Sequence, residues 1–106
     1  MVKLIVLLRQ TDIHNPEYET GYNDFLIKLD SLPGMLRKAV CSVYAGPGGP
    51  APYHSVVEVF FADPPSMQAA LTSPPGVEAG HALNAFAGAD AITLFAEVLE
   101  ESYPRP

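Results

Sequence analysis

The side chains of this sequence best suited to chemistry are three histidines, His14, His54 and His81, one cysteine, Cys41, and a glutamate, Glu58, set in an apolar run. His54 and Glu58 belong to the stretch Y-H-S-V-V-E-V-F-F from Tyr53 to Phe61. The two-residue period of a strand puts them on one face, about 13 Å apart. That is too far for a direct pair, yet both could line one elongated pocket. Val56 and Phe60 share the face, so Glu58 is expected in apolar surroundings, where burial raises a carboxyl pKa and suits it to proton transfer near neutral pH. The competing reading makes Glu58 a structural carboxylate bonded to a neighbouring strand or to a partner subunit. His54 follows a proline loop and is either a base at the pocket or a cap on the strand entrance. His81 and Asn84 stand three apart on one side of a helix. His81 there is a candidate base, against the commoner situation of an exposed, inert histidine. Tyr22, Tyr53, Phe60 and Asn84 are the candidate ligand contacts, with Tyr22 able to aim a hydroxyl into a cavity. His14, in a polar loop, is assigned to solvent.

Several chemistries find no support. The histidines and the cysteine have no ligand spacing, so no metal site is expected. Cys41, in mid-strand, reads as a small buried hydrophobe. The loop Gly46 to Gly49 lacks the Lys-Ser or Lys-Thr of a phosphate cradle, and a strand follows it where a helix is needed. No serine-hydrolase elbow occurs, no histidine is placed as a haem ligand, and no cofactor is expected.

The elements that must position these residues follow from pattern. Val2 to Leu8 is a short Val/Ile-rich strand. Asn15-Pro16-Glu17 starts a helix running to about Asp30, with Tyr18, Tyr22, Phe25, Leu26 and Leu29 as its apolar stripe. Leu32-Pro33-Gly34 stops it. Leu36 to Tyr44 is the second strand, and the Gly/Pro loop from Gly46 to Pro52 leads to the third, Tyr53 to Phe61. Asp63-Pro64-Pro65-Ser66 opens a helix over roughly Met67 to Leu71. Ser73-Pro74-Pro75 breaks it, and a second piece runs from about Val77 to Phe86. Ala91 to Leu99 is the fourth strand, and the polar, proline-bearing tail, residues 99 to 106, is expected to be loose. The order βαββαβ defines an α+β, ferredoxin-like domain spanning 1–106, a four-stranded antiparallel sheet with helices on one face.

Both faces of that sheet are greasy. Leu4 to Leu8 alternate nothing; Val56 and Phe60 oppose Val57, Val59 and Phe61; Ile92, Leu94 and Val98 oppose Ala91 and Phe95. Helices cover one face only, and each apolar side chain withdrawn from water contributes about 1.5–3 kcal/mol. A homodimer with its sheets facing each other is the expected cover. The composition agrees, with 48% apolar residues and a mean hydropathy of +0.13, high for so small a monomer. A net charge of −6 and the lack of a basic cluster argue against nucleic acid and anionic membranes as partners. One cysteine, no signal peptide in Met1 to Arg9 and no apolar run of spanning length make a soluble, cytoplasmic protein the expectation.

Four pieces of the chain carry a family resemblance: K-L-I-V-L-L in the first strand, the Leu32-Pro33-Gly34 corner, G-G-P-A-P-Y-H-S-V-V-E-V-F-F from Gly48 to Phe61, and A-A-L-T-S-P-P-G from Ala69 to Gly76. Together they resemble the EthD-type proteins of the dimeric α+β barrel superfamily, with P-Y-H-x-V-x-E-x-x-F, Pro52 to Phe61, the strongest piece. The resemblance implies a dimer with a pocket between sheet and helices in each subunit. Its relatives include enzymes that decarboxylate or dehydrate aromatic polyketides and isomerases of methyl-substituted muconolactones. The wider superfamily adds cofactor-free quinone-forming monooxygenases and haem-degrading enzymes. This chain departs from the family at H-Y-x-x-x-H in the first helix. Tyr22 matches the tyrosine, while Gly21 and Leu26 stand at the histidine positions. The expected function is binding of a small hydrophobic or aromatic molecule, with cofactor-independent decarboxylation, dehydration or isomerisation by His54, Glu58 or His81. The alternative is a non-catalytic carrier or accessory protein of a degradative oxygenase, and a structural dimer module stands behind both.

Overall fold

The computed structural model describes residues 1–104, so Arg105 and Pro106 of the tail lie outside the described residues. The elements run β1 (Val2–Arg9), α1 (Pro16–Leu29), β2 (Arg37–Ser42), β3 (Tyr53–Phe61), α2 (Pro64–Thr72), α3 (Pro74–Phe86) and β4 (Ala91–Glu97), with a single 3-10 turn before β4. The sheet order is β2-β3-β1-β4 with antiparallel neighbours throughout, the α+β ferredoxin-like arrangement.

Caps explain the helix limits. Asn15 accepts the Glu17 N–H at 2.9 Å and Pro16 fills the first turn, where its missing N–H costs nothing. Asp63 does the same for Ser66 at 2.8 Å, so α2 takes in Pro64 and Pro65 and begins three residues before the expected Met67. Pro74 and Pro75 likewise open α3 as well as ending α2. Ser73 closes one helix and caps the next through its hydroxyl. A Cβ at Gly76 would lie 2.2 Å from the Ala70 carbonyl oxygen, so this corner requires glycine. Gly34, at φ 75°, turns the chain after Leu32. Strand β2 is shorter than expected, although Leu36 N–H and Val43 N–H still bond to Phe60 O and His54 O beyond its ends. Residues 98–104 carry no regular structure.

The helices cover one face. Val2, Leu4, Val6 and Leu8 of β1 and Val57, Val59 and Phe61 of β3 pack with Phe25, Leu29, Leu32, Met67, Ala70 and Ala79 in one core. The other face, which carries Lys3, Ile5, Leu7, Val56, Glu58, Ile92 and Leu94, has no helix over it, and even on central β1 its residues stay half-exposed. Cys41 belongs to this open face and is exposed, not buried as its mid-strand place suggested, because β2 is an edge strand. Among the described residues no helix is long and apolar enough to cross a membrane.

Candidate functional site

The register of β1 with β3 slips once. Leu8 pairs with Ser55 but Arg9 pairs with Tyr53, leaving His54 as an extra residue in a β-bulge. From Ser55 to Phe61 odd residues face the helices; at the bulge the alternation reverses. His54 therefore joins Ser55 on the helix side, and Tyr53 moves to the open face, where Arg9 lies 5.9 Å over its ring. This corrects the expectation that His54 and Glu58 share a face. The first turns of α1, reached through the short connection from residue 10 to 15, lie above the bulge, where Tyr18 meets His54.

Three groups meet there. The Tyr18 hydroxyl and His54 Nε2 are 2.5 Å apart, and the Tyr22 hydroxyl and Ser55 Oγ are 2.7 Å apart. Phe86 of α3 stands edge-on to both tyrosines, 5.2 Å from Tyr18 and 6.1 Å from Tyr22 between ring centres. Edge-to-face contacts of this kind each add about 0.5–1.5 kcal/mol and fix ring orientation. Burial raises the Tyr18 phenol above its ordinary value, with nearby Tyr22 and Asp90 acting in the same sense. Burial also lowers the His54 imidazole. Both shifts favour an uncharged pair. With the Tyr18 hydroxyl donating, Nε2 is the bare nitrogen of His54 and Nδ1 carries the hydrogen.

Tyr18 separates two cavities. One, of about 790 Å³, lies between the loop after β1, α1 and α3, and is lined by Thr11, Asp12, Glu17, Gly21, Ala82 and Phe86 among others. The other, of about 310 Å³, holds His54, Tyr22, Ser42, Ile13 and His14. His14, although exposed, thus borders the site. A third groove of about 560 Å³ runs between β4 and α2, where Phe95 is 65% exposed. Its lining includes one titratable side chain, Glu97, and so offers no acid–base pair.

The remaining sequence candidates lie elsewhere. Glu58 sits on the open face in an ion pair with Lys3 of the neighbouring strand at 2.6 Å, not alone among apolar groups. Phe60 is buried on that same face beneath Arg37, 3.7 Å from its ring centre, and Lys3. Tyr53 is there too. His81 and Asn84 are exposed on the outer side of α3, which presents Gly76 and Ala79 inward, so neither faces a cavity. Tyr22 borders the smaller cavity, but its hydroxyl is engaged by Ser55. Tyr18, read from sequence as part of the core stripe, is the group beside His54. Its placement was inferable, since the first turn of α1 and the first residues of β3 must share the end of the sheet where β1 finishes.

Gly21 accounts for the first of the two histidine positions that differ in helix one. A Cβ there would fall 2.3 Å from Phe86 Cβ, so the close approach of α1 and α3 leaves no room for a histidine. Among the described residues no cluster of three His, Cys, Asp or Glu could hold a metal ion.

No protein-family model matches the chain, and no curated protein does. Solved structures do. An ethyl tert-butyl ether (EthD) family protein from Bacillus halodurans is 25% identical, with a TM-score of 0.86 over 93% of this chain and 99% of that one. A dimeric ferredoxin-like protein of unknown function from Jannaschia sp. is 19% identical, with a TM-score of 0.74 over 92% of this chain and 98% of that one. SnoaB, a cofactor-independent oxygenase from Streptomyces nogalater, is 13% identical, with a TM-score of 0.66 over 94% of this chain and 93% of that one.

Proposed function

We propose that this EthD-like chain of ferredoxin-like fold, built as one domain, binds a small apolar or aromatic molecule beside Tyr18 and His54, and that the pair moves a proton on it without a cofactor. The observation that carries the reading is the hydrogen-bonded Tyr18–His54 pair, 2.5 Å apart, at the wall between two cavities. The cavities on either side of Tyr18 combine aromatic and aliphatic side chains, Phe86, Ala82 and Ile13 among them, with polar ones that can orient a small molecule. A substrate proton passes to the Tyr18 oxygen as the Tyr18 hydrogen passes to His54 Nε2, and the reverse transfer delivers a proton to the product. Such a relay serves isomerisation, dehydration or decarboxylation. The imidazole replaces a base on α1 that Gly21 excludes.

The open sheet face belongs to the same reading. Ile5, Leu7, Val56 and Leu94 form its apolar centre, with Lys3, Glu58 and Arg37 at one end and Arg9 at the other. A second copy laid against it gives a homodimer with a dry middle and a charged rim, the ordinary anatomy of an interface. The ferredoxin-like neighbour from Jannaschia sp. is dimeric, which supports a homodimer for this chain.

Native mass spectrometry of freshly purified protein tests both parts. A dimer carrying a stoichiometric small molecule is expected. Incubating the complex in D2O and weighing the released ligand then reads proton transfer, and His54→Gln should abolish deuterium uptake while the ligand still binds. Binding with no exchange in the unaltered protein makes the chain a carrier. A monomer that binds no aromatic ligand overturns the proposal.

A further inference from the structure

The groove between β4 and α2 takes no part in the cleft. Phe95 pairs with Leu4 and so points to the helix side of the sheet, yet α2 packs on β1 and β3 and leaves Phe95 65% exposed. Val2, Met67 and Leu71 complete an apolar trough of about 560 Å³, with Gln68, Thr72 and Glu97 as its polar members. An apolar surface of this kind on so small a chain calls for an occupant.

The chain supplies one. Beyond β4 come Leu99 and Tyr103, 87% and 82% exposed, in a segment without regular structure. Four residues apart, they fall on one side of an extended chain. The groove lies at the end of the sheet where this segment begins, since Val2 and Glu97, both in its lining, are register partners. The segment does not turn back into its own groove. The Val98 N–H bonds to the Met1 carbonyl, which carries the chain straight past the end of β1. Returning would take a tight reversal within Leu99-Glu100-Glu101-Ser102-Tyr103, which has no glycine, asparagine or aspartate to make one.

We infer that the groove receives the tail of a second copy, with Leu99 and Tyr103 of each chain seated against Phe95, Met67 and Leu71 of the other. This rests on the homodimer formed through the open face, and it extends that interface to the far side of β4. Facing sheets stand about 10 Å apart. An extended chain from Val98 to Tyr103 spans about 16 Å, enough to cross the gap and pass round an edge strand. The outer edge of β4 has no strand beside it, so the arriving tail also finds backbone partners there, up to Pro104, which lacks an N–H. A two-fold axis makes the exchange reciprocal, so both grooves are filled and both tails covered.

The test is isotope-filtered NMR of a dimer mixed from labelled and unlabelled full-length protein, after light scattering has given the state of assembly. A dimer with contacts between the Tyr103 ring of one chain and the Met67 methyl of the other is expected. Leu99→Ser with Tyr103→Ser should weaken the dimer by about tenfold. The altered chains should stay folded, because both positions are exposed in the single chain. A dimer whose Tyr103–Met67 contacts arise within one chain, or are missing, overturns the exchange and leaves the open-face dimer standing. An unchanged dissociation constant in the double variant does the same. A monomer sinks the homodimer reading, and this inference falls with it.

Discussion

Replacing Tyr22 by phenylalanine removes one oxygen and should destabilise the fold by about 1–3 kcal/mol, because the loss falls on a buried partner. Ser55 is 1% exposed, and its Oγ lies 2.7 Å from the Tyr22 hydroxyl. Water does not reach Ser55, so Tyr22→Phe strands a buried hydroxyl at its full desolvation cost. The reverse change is milder. Tyr22 is half-buried beside the smaller cavity, and after Ser55→Ala its hydroxyl turns to solvent there, for a cost of about 0.5–1.5 kcal/mol. Removing both partners leaves neither group unpaired, so the double variant should fall short of the summed costs by about 1 kcal/mol. The assay is urea unfolding of the four proteins at one fixed protomer concentration, since assembly shifts apparent stability. In thermal melts each kcal/mol corresponds to about 4–8 °C for a domain of this size. A Tyr22→Phe variant within about 0.3 kcal/mol of the unaltered protein, or single costs that add in full, would refute the claim that this hydrogen bond is what satisfies Ser55.

Gly21→Ala forces its new methyl against Phe86 and should cost about 1–3 kcal/mol by wedging α1 from α3; an unchanged melting temperature would show that the helices separate freely. Leu94→Lys puts a charge on the open face at a side chain 46% exposed in the single chain, so the monomer should fold while light scattering shows the dimer lost; a persisting dimer would place the interface elsewhere. His54 also gives a pH dependence. Its folded pKa is lowered, so its contribution to stability is complete above the unfolded value of about 6.5 and is lost as pH falls through the folded one. Urea midpoints should therefore drop on acidification through that window more steeply than in His54→Gln, and parallel profiles would remove the role given to burial.

Much of the architecture was legible because it depends on repeating local signals. The order of strands and helices followed from short apolar runs and their punctuation, and Asn15-Pro16 and Asp63-Pro64-Pro65 announced helix starts through caps that need only a few neighbouring residues. The site was less legible. Alternation is a rule of phase, and one extra residue at His54 reverses it without changing residue types, so the pairing of His54 with Glu58 could not survive the bulge. Lys3 was an obvious cation, but that it reaches Glu58 depends on β1 and β3 being neighbours in register, a long-range fact. The helical pattern left two facings open for His81, and the packing of Gly76 and Ala79 settled it outward.

Tyr53 and His54 are consecutive in the chain yet belong to different compartments, one opening on the uncovered sheet face and the other on the cleft. Anyone redesigning the scaffold should treat position 54 as a unit with 18 and 86, three side chains from three elements that can be varied together to change what the cleft holds. Position 53 answers to a separate set that includes Arg9. A combinatorial library that randomises 53 and 54 as neighbours would mix two unrelated selections, whereas one that follows the bulge would keep assembly and recognition independently adjustable.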